Sequence, residues 1–129
     1  MVKAGDVYLF DYRNTHYLVF LTDDREFVIV NFSSIEGKNS KSIDNTCCFQ
    51  KGELSFLSKD SFVVYREAKI LSKNQVSTLI NGRIESIKSS IDNNVLAKIQ
   101  EGALKSDFTS PRVKSVLKQF LDSSGYHKQ

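Results

Sequence analysis

The chain has 129 residues, of which 40% are hydrophobic and 26% charged, a size and balance that suit one globular domain burying about two-thirds of its unfolded surface. No stretch approaches the ~20 apolar residues of a membrane-spanning helix, and no signal-peptide core opens the chain, so the expected location is the cytoplasm with no membrane partner. The net charge of +3 is uneven: residues 1–65 carry 7 basic against 9 acidic side chains, and residues 66–129 carry 11 against 6. A basic second half suits nucleic acid or an acidic protein, and equally a set of solvated helix faces.

The runs Gly5 to Tyr12, Tyr17 to Thr22 and Phe27 to Ser34 are strand-length and rich in aromatic and β-branched residues. Arg13-Asn14-Thr15 and Asp23-Asp24-Arg25-Glu26 suit hairpin loops, which makes the three neighbours antiparallel. A loop over 35–45 leads to a fourth strand near Thr46–Gln50. Adjacent Cys47 and Cys48 point to opposite faces of a strand, which disfavours a mutual disulfide and suits buried, reduced thiols. Asp60 to Arg66 is a fifth strand, extended or followed by Lys69-Ile70-Leu71.

Beyond residue 71 the apolar period changes from two to about 3.6. Ser72 caps a short helix that Asn81-Gly82 ends. Residues 83–88 form a last strand, and Asp92 starts a second helix with Val95, Leu96 and Ile99 on one face. Ser110-Pro111 is a helix start, and Val113, Val116, Leu117, Phe120 and Leu121 follow it at i, i+3, i+4, i+7, i+8 spacing. The expectation is a single α+β domain over residues 1–122. A small antiparallel barrel spans 1–71 and a mainly helical part spans 72–122, ahead of a polar tail.

Gly5-Asp6 opening the first strand, Asp11-Tyr12 closing it, His16 to Thr22 as the second strand and Asn31-Phe32-Ser33-Ser34 ending the third resemble the PemK/MazF-like toxin family. The resemblance covers residues 4–34, and from residue 60 onward only the order of elements. It implies an SH3-like barrel with C-terminal helices, and a bacterial, often homodimeric endoribonuclease that cuts single-stranded RNA and is silenced by an antitoxin. The family's catalytic Arg and Thr fall here on His16 and Ser33. More loosely, Thr46-Cys47, Gly52-Glu53, Phe56 and Ser61 to Tyr65 resemble an uncharacterised bacterial group associated with mobile elements.

Metal-free RNA cleavage needs an acid, a base and a group that holds the phosphate. His16 titrates near neutral pH and suits either proton-transfer role. Arg13 suits a phosphate, Ser33 a phosphate oxygen, and Asp23 or Asp24 the orientation of His16. The candidate catalytic set is therefore His16, Ser33, Arg13 and Asp23. The candidate RNA-binding set is Tyr12, Tyr17, Ser34, Lys51 and Tyr65, with Tyr8 and Lys59 beside them. No metal or cofactor is expected, since neither zinc-ligand spacing nor a phosphate-binding glycine loop occurs. The competing reading makes the tyrosines sheet residues and the polar groups turn formers. The protein would then be a non-catalytic protein- or RNA-binding module from a phage, mobile-element or defence locus.

Overall fold

Apolar runs without alternation, such as Leu18 to Leu21 and Phe27 to Val30, belong to strands covered on both faces. In the computed structural model that is where they lie. It describes residues 2–12, 14–82 and 84–124, with the side chains of 10–16, 83–88 and 124 outside the description. In chain order the elements are β1 (Asp6–Tyr12), β2 (Asn14–Phe20), β3 (Glu26–Ser34), β4 (Cys48–Phe49), β5 (Ser61–Val63), β6 (Lys69–Ser72), α1 (Lys73–Gly82), β7 (Ile84–Ser90), α2 (Asn93–Lys105) and α3 (Pro111–Ser124).

The strands form one antiparallel sheet in the order β4-β5-β3-β2-β1-β7, with β6 also on β3. β3 serves two partners along one edge: Glu26–Ile29 pair with β6, and Phe32–Ser34 pair with β5. Between them the chain leaves the sheet in a 3-10 turn, Tyr65–Glu67, anchored where the Val64 amide donates to the Asn31 carbonyl at 2.9 Å. The expected fifth strand over 60–66 is thus cut short, because Tyr65 turns inward and its hydroxyl donates to the Ile99 carbonyl of α2 at 2.8 Å. The fourth strand keeps only two residues. The result is a curled, half-barrel sheet with three helices, a mixed α+β fold.

Side chains alternate across β2 and β3 and build two cores. Val19, Leu21, Val28, Val30 and Phe32 join Leu96, Ile99, Val113, Val116 and Leu117 beneath α2 and α3. Leu18, Phe20, Phe27 and Ile29 join Val2, Tyr8 and Val76 beneath α1. The opening Gly5 has φ of 95°, a conformation open to glycine. Its amide donates to the Phe20 carbonyl at 2.8 Å and its carbonyl accepts from Ile91 at 3.0 Å.

The helix starts are capped as expected. Ser72 and Gln75 exchange hydrogen bonds, the Gln75 amide to Ser72 Oγ and the Ser72 amide to Gln75 Oε1, a capping box. The Val95 amide donates to Asp92 Oδ1 at 2.9 Å, and the Val113 amide to Ser110 Oγ at 3.2 Å. No helix is long and apolar enough to cross a membrane.

Candidate functional site

The smaller core is incomplete. α1 closes over the Phe20–Phe27 end of the sheet through Val76, Leu79 and Ile80 and leaves a cavity of about 480 Å³ toward the other end. Its lining follows from the register. Leu18 pairs with Asn31, and Ile29 pairs with Lys69. Leu71 and Leu79 add apolar walls, and Glu67 stands at the rim. Glu67 belongs to the 3-10 turn that follows Val64, whose amide is tied to the Asn31 carbonyl, and both Asn31 and Glu67 border the cavity. Among the described residues the Asn31 side chain has no hydrogen-bond partner, and Glu67 and Lys69 form no ion pair. Apolar walls with a few convergent polar groups, in a volume of this size, are the usual make-up of a ligand site.

Ser33 lies two residues beyond Asn31 on the same face of β3, partly buried and paired in register with Phe62. The β2–β3 ladder runs from Phe20–Ile29 to Leu18–Asn31. The ladder ends at that last pair, and beyond it Phe32 to Ser34 pair with β5. His16 itself is paired with Phe10 in the β1–β2 ladder, and its side chain lies outside the described residues. Arg13 lies outside them altogether, as does the Tyr12 side chain.

Asp23 belongs elsewhere. It follows the far end of β2, which closes at Phe20, seven residues along the chain from position 16. There its Oδ2 accepts from the Ala4 amide at 2.9 Å. The hairpin order puts the two loops at opposite ends of β2, and there Asp23 holds the chain ahead of β1.

Of the tyrosines expected to stack on bases, Tyr8 and Tyr65 are core residues and Tyr17 is partly buried against the core. Tyr65 is 1% exposed, and burial, with Cys47, Asp44 and Cys48 beside it, pushes its phenol far up from the ordinary value. Tyr17 packs on Phe56 with ring centroids 4.9 Å apart, against the larger core. Tyr8 is buried in the smaller core, edge-on to Phe20.

Ser34 and Lys51 fare differently. The Ser34 hydroxyl accepts from the Glu36 amide at 3.1 Å, shaping the exit from β3. The Lys51 amide donates to Asp60 Oδ1 at 2.7 Å. Exposed Lys51 then borders a second, polar cavity of about 450 Å³ with Ile35, Glu36, Ser58, Lys59 and Asp60. The last residues of β3 therefore lead from the apolar cavity at Ile29–Asn31 to this polar one at Ile35–Glu36.

Both cysteines are free thiols, Cys47 buried and Cys48 partly so. Burial pushes both thiols up, opposite to what a nucleophilic cysteine requires. Among the described residues no group of three or more His, Cys, Asp or Glu is arranged to hold a metal ion. Asn31, Glu67 and Lys69 escaped the sequence reading. Asn31 carried the one available signal, a lone amide inside the apolar run Phe27 to Phe32. Neither a scan against protein-family models nor a search of curated proteins finds a match for this chain.

Proposed function

We propose that the chain binds single-stranded RNA along the end of β3 and cuts it as a metal-independent endoribonuclease. It would be a diverged relative of PemK/MazF-like toxins, its half-barrel corresponding to their SH3-like barrel. The observation that carries this reading is the strand order. β2 and β3 are antiparallel neighbours with Leu18 opposite Asn31 beside the apolar cavity, and the same pairing carried two residues further would set positions 16 and 33, the family's catalytic pair, opposite one another. His16 would take the 2′-hydroxyl proton, and Ser33 would hold a phosphate oxygen. Lys51 and Lys59, at the polar cavity that follows Ser34, would track the backbone. A protein antitoxin would compete for the same track, and a homodimer would double it.

The test is cleavage of a mixed-sequence single-stranded RNA by the purified chain in excess EDTA. General acid–base catalysis is worth about 10²–10⁴-fold, so His16→Ala should lower the rate at least about 100-fold, while the unfolding midpoint stays near that of the parent. Intact RNA after long incubation with a folded parent protein rejects the enzyme.

One finding favours a second reading, a non-catalytic module. Asp23 at the far end of β2 holds the Ala4 amide and Tyr65 lies inside the core, so two of the expected groups are engaged in the fold, and His16 stands where the family has Arg. Such a module would retain RNA or a protein partner in a binding assay and leave the RNA whole.

A further inference from the structure

We infer that the apolar cavity beneath α1 is a guanine pocket. The inference rests on the RNA reading for its place along a strand of nucleotides, and on the cavity alone for its chemistry. Leu18, Ile29, Leu71 and Leu79 offer aliphatic walls to the two faces of a planar ring. The polar groups differ in kind. Asn31 supplies an amide with no hydrogen-bond partner among the described residues, Glu67 an acceptor-only carboxylate, and Lys69 a cation across from Ile29.

Guanine matches that set on one edge. Its N1–H and exocyclic N2–H are adjacent donors, the pattern that a carboxylate accepts in a bidentate pair. Its O6 then faces the Asn31 amide as an acceptor. Adenine and cytosine would each present a ring-nitrogen lone pair toward the carboxylate, and uracil a single N–H. An unmatched lone pair facing a carboxylate leaves polar groups without partners, which discriminates more strongly than lost contact area. The Lys69 ammonium suits the nucleotide's phosphate, a contact that adds affinity without choosing a base.

The experiment is titration of the full chain with the four 5′-nucleoside monophosphates and with inosine monophosphate, followed by isothermal calorimetry. The expected result is guanosine monophosphate binding about tenfold tighter than the other three bases, in line with one bidentate pair. Inosine monophosphate, which lacks the N2 amine, should lose most of that advantage. Glu67→Gln, at an exposed position, should abolish the preference. Lys69→Ala should weaken all the nucleotides alike. Equal binding of the four bases, no binding at all, or a guanine preference that survives both Glu67→Gln and Asn31→Ala overturns the pocket. Thermal unfolding of each variant separates lost binding from lost fold.

The RNA assay keeps this result apart from the function. Cleavage of RNA without regard to guanine removes the pocket and leaves the endoribonuclease. Guanine-selective nucleotide binding with uncut RNA removes the enzyme and leaves the pocket.

Discussion

Tyr65 joins three parts of the molecule through one hydroxyl group. It donates to the Ile99 carbonyl on α2, lies against Cys47 ahead of β4, and sits over Gly102. A Cβ built at position 102 would stand 3.0 Å from Tyr65 Cζ, 3.3 Å from Cys47 Cβ, and closer still to the phenolic oxygen. Glycine is there for close approach, since its φ is ordinary. Overpacking of this kind costs about 1–3 kcal/mol, so Gly102→Ala should lower the urea midpoint. Tyr65→Phe alone should cost about 1 kcal/mol. The double variant should cost less than the sum, because the phenylalanine removes the nearest obstacle; strict additivity would show that the two do not share that space. Asp44 gives a second residue-level expectation. Its burial would raise the carboxyl, but hydrogen bonds from Ser106, at 2.6 Å, and from the Thr46 hydroxyl and amide, with the Arg66 charge nearby, hold it below its ordinary value. A carboxyl depressed in the folded state stabilises above the unfolded carboxylate range, and that contribution is lost as pH falls through the folded pKa. Asp44→Asn should therefore cost about 1–3 kcal/mol at pH 7 and flatten the acid limb of stability in urea titrations from pH 7 to 2. An unchanged acid limb counts against the assignment.

At the scale of elements, the helices begin where local chemistry says they should. Asp92 and Ser110 each satisfy an amide in a first turn that no backbone carbonyl can reach. Asp92→Ala and Ser110→Ala should each lower stability by about 1 kcal/mol in urea unfolding. Glu26→Gln, by contrast, removes only the Arg112–Glu26 bridge between β3 and α3. That bridge spans 2.6 Å, but its side chains are 67% and 36% exposed. An exposed pair contributes at most about 1 kcal/mol, and the expected shift is smaller than for either cap. A larger loss from Glu26→Gln would mean that α3 is held by charge more than by Val113, Leu117 and Leu121. The same local reasoning fails for the segment after β5. Tyr65 has strand propensity, and its run reads as a continuous strand, yet the buried hydrogen bond to Ile99 draws it out of the sheet into a 3-10 turn. That departure also carries Glu67 to the cavity rim.

For the whole molecule, β2 and β3 form a wall shared by both cores, so the two should melt together. Leu117→Ala, beneath α3, should cost about 2–5 kcal/mol, and Val76→Ala, beneath α1, about 2 kcal/mol. Each should shift one common transition seen alike by circular dichroism and tyrosine fluorescence. Two separable transitions after Val76→Ala would mean that α1 and its core unfold independently. The wall also explains the fate of the tyrosines. With helices on both faces, Tyr8 is buried and Tyr17 partly so, while α1 leaves a gap over Leu18 and Asn31.

The sequence by itself determined the α+β class, the span of β1 and β3, the helix starts at Ser72, Asp92 and Ser110, and the buried state of Cys47. Each of these rests on neighbours in the chain: an apolar period, a capping side chain, or proline at a first helical turn. Only the tertiary structure decided which end of a hairpin faces which loop. It set Asp23 beyond the end of β2 opposite to the β1–β2 hairpin, against the Ala4 amide, and brought Asn31, Glu67 and Lys69 around one cavity from three separate elements. Strand pairing and helix coverage couple residues far apart in the chain, and periodicity gives the direction of a side chain without naming what will stand opposite it.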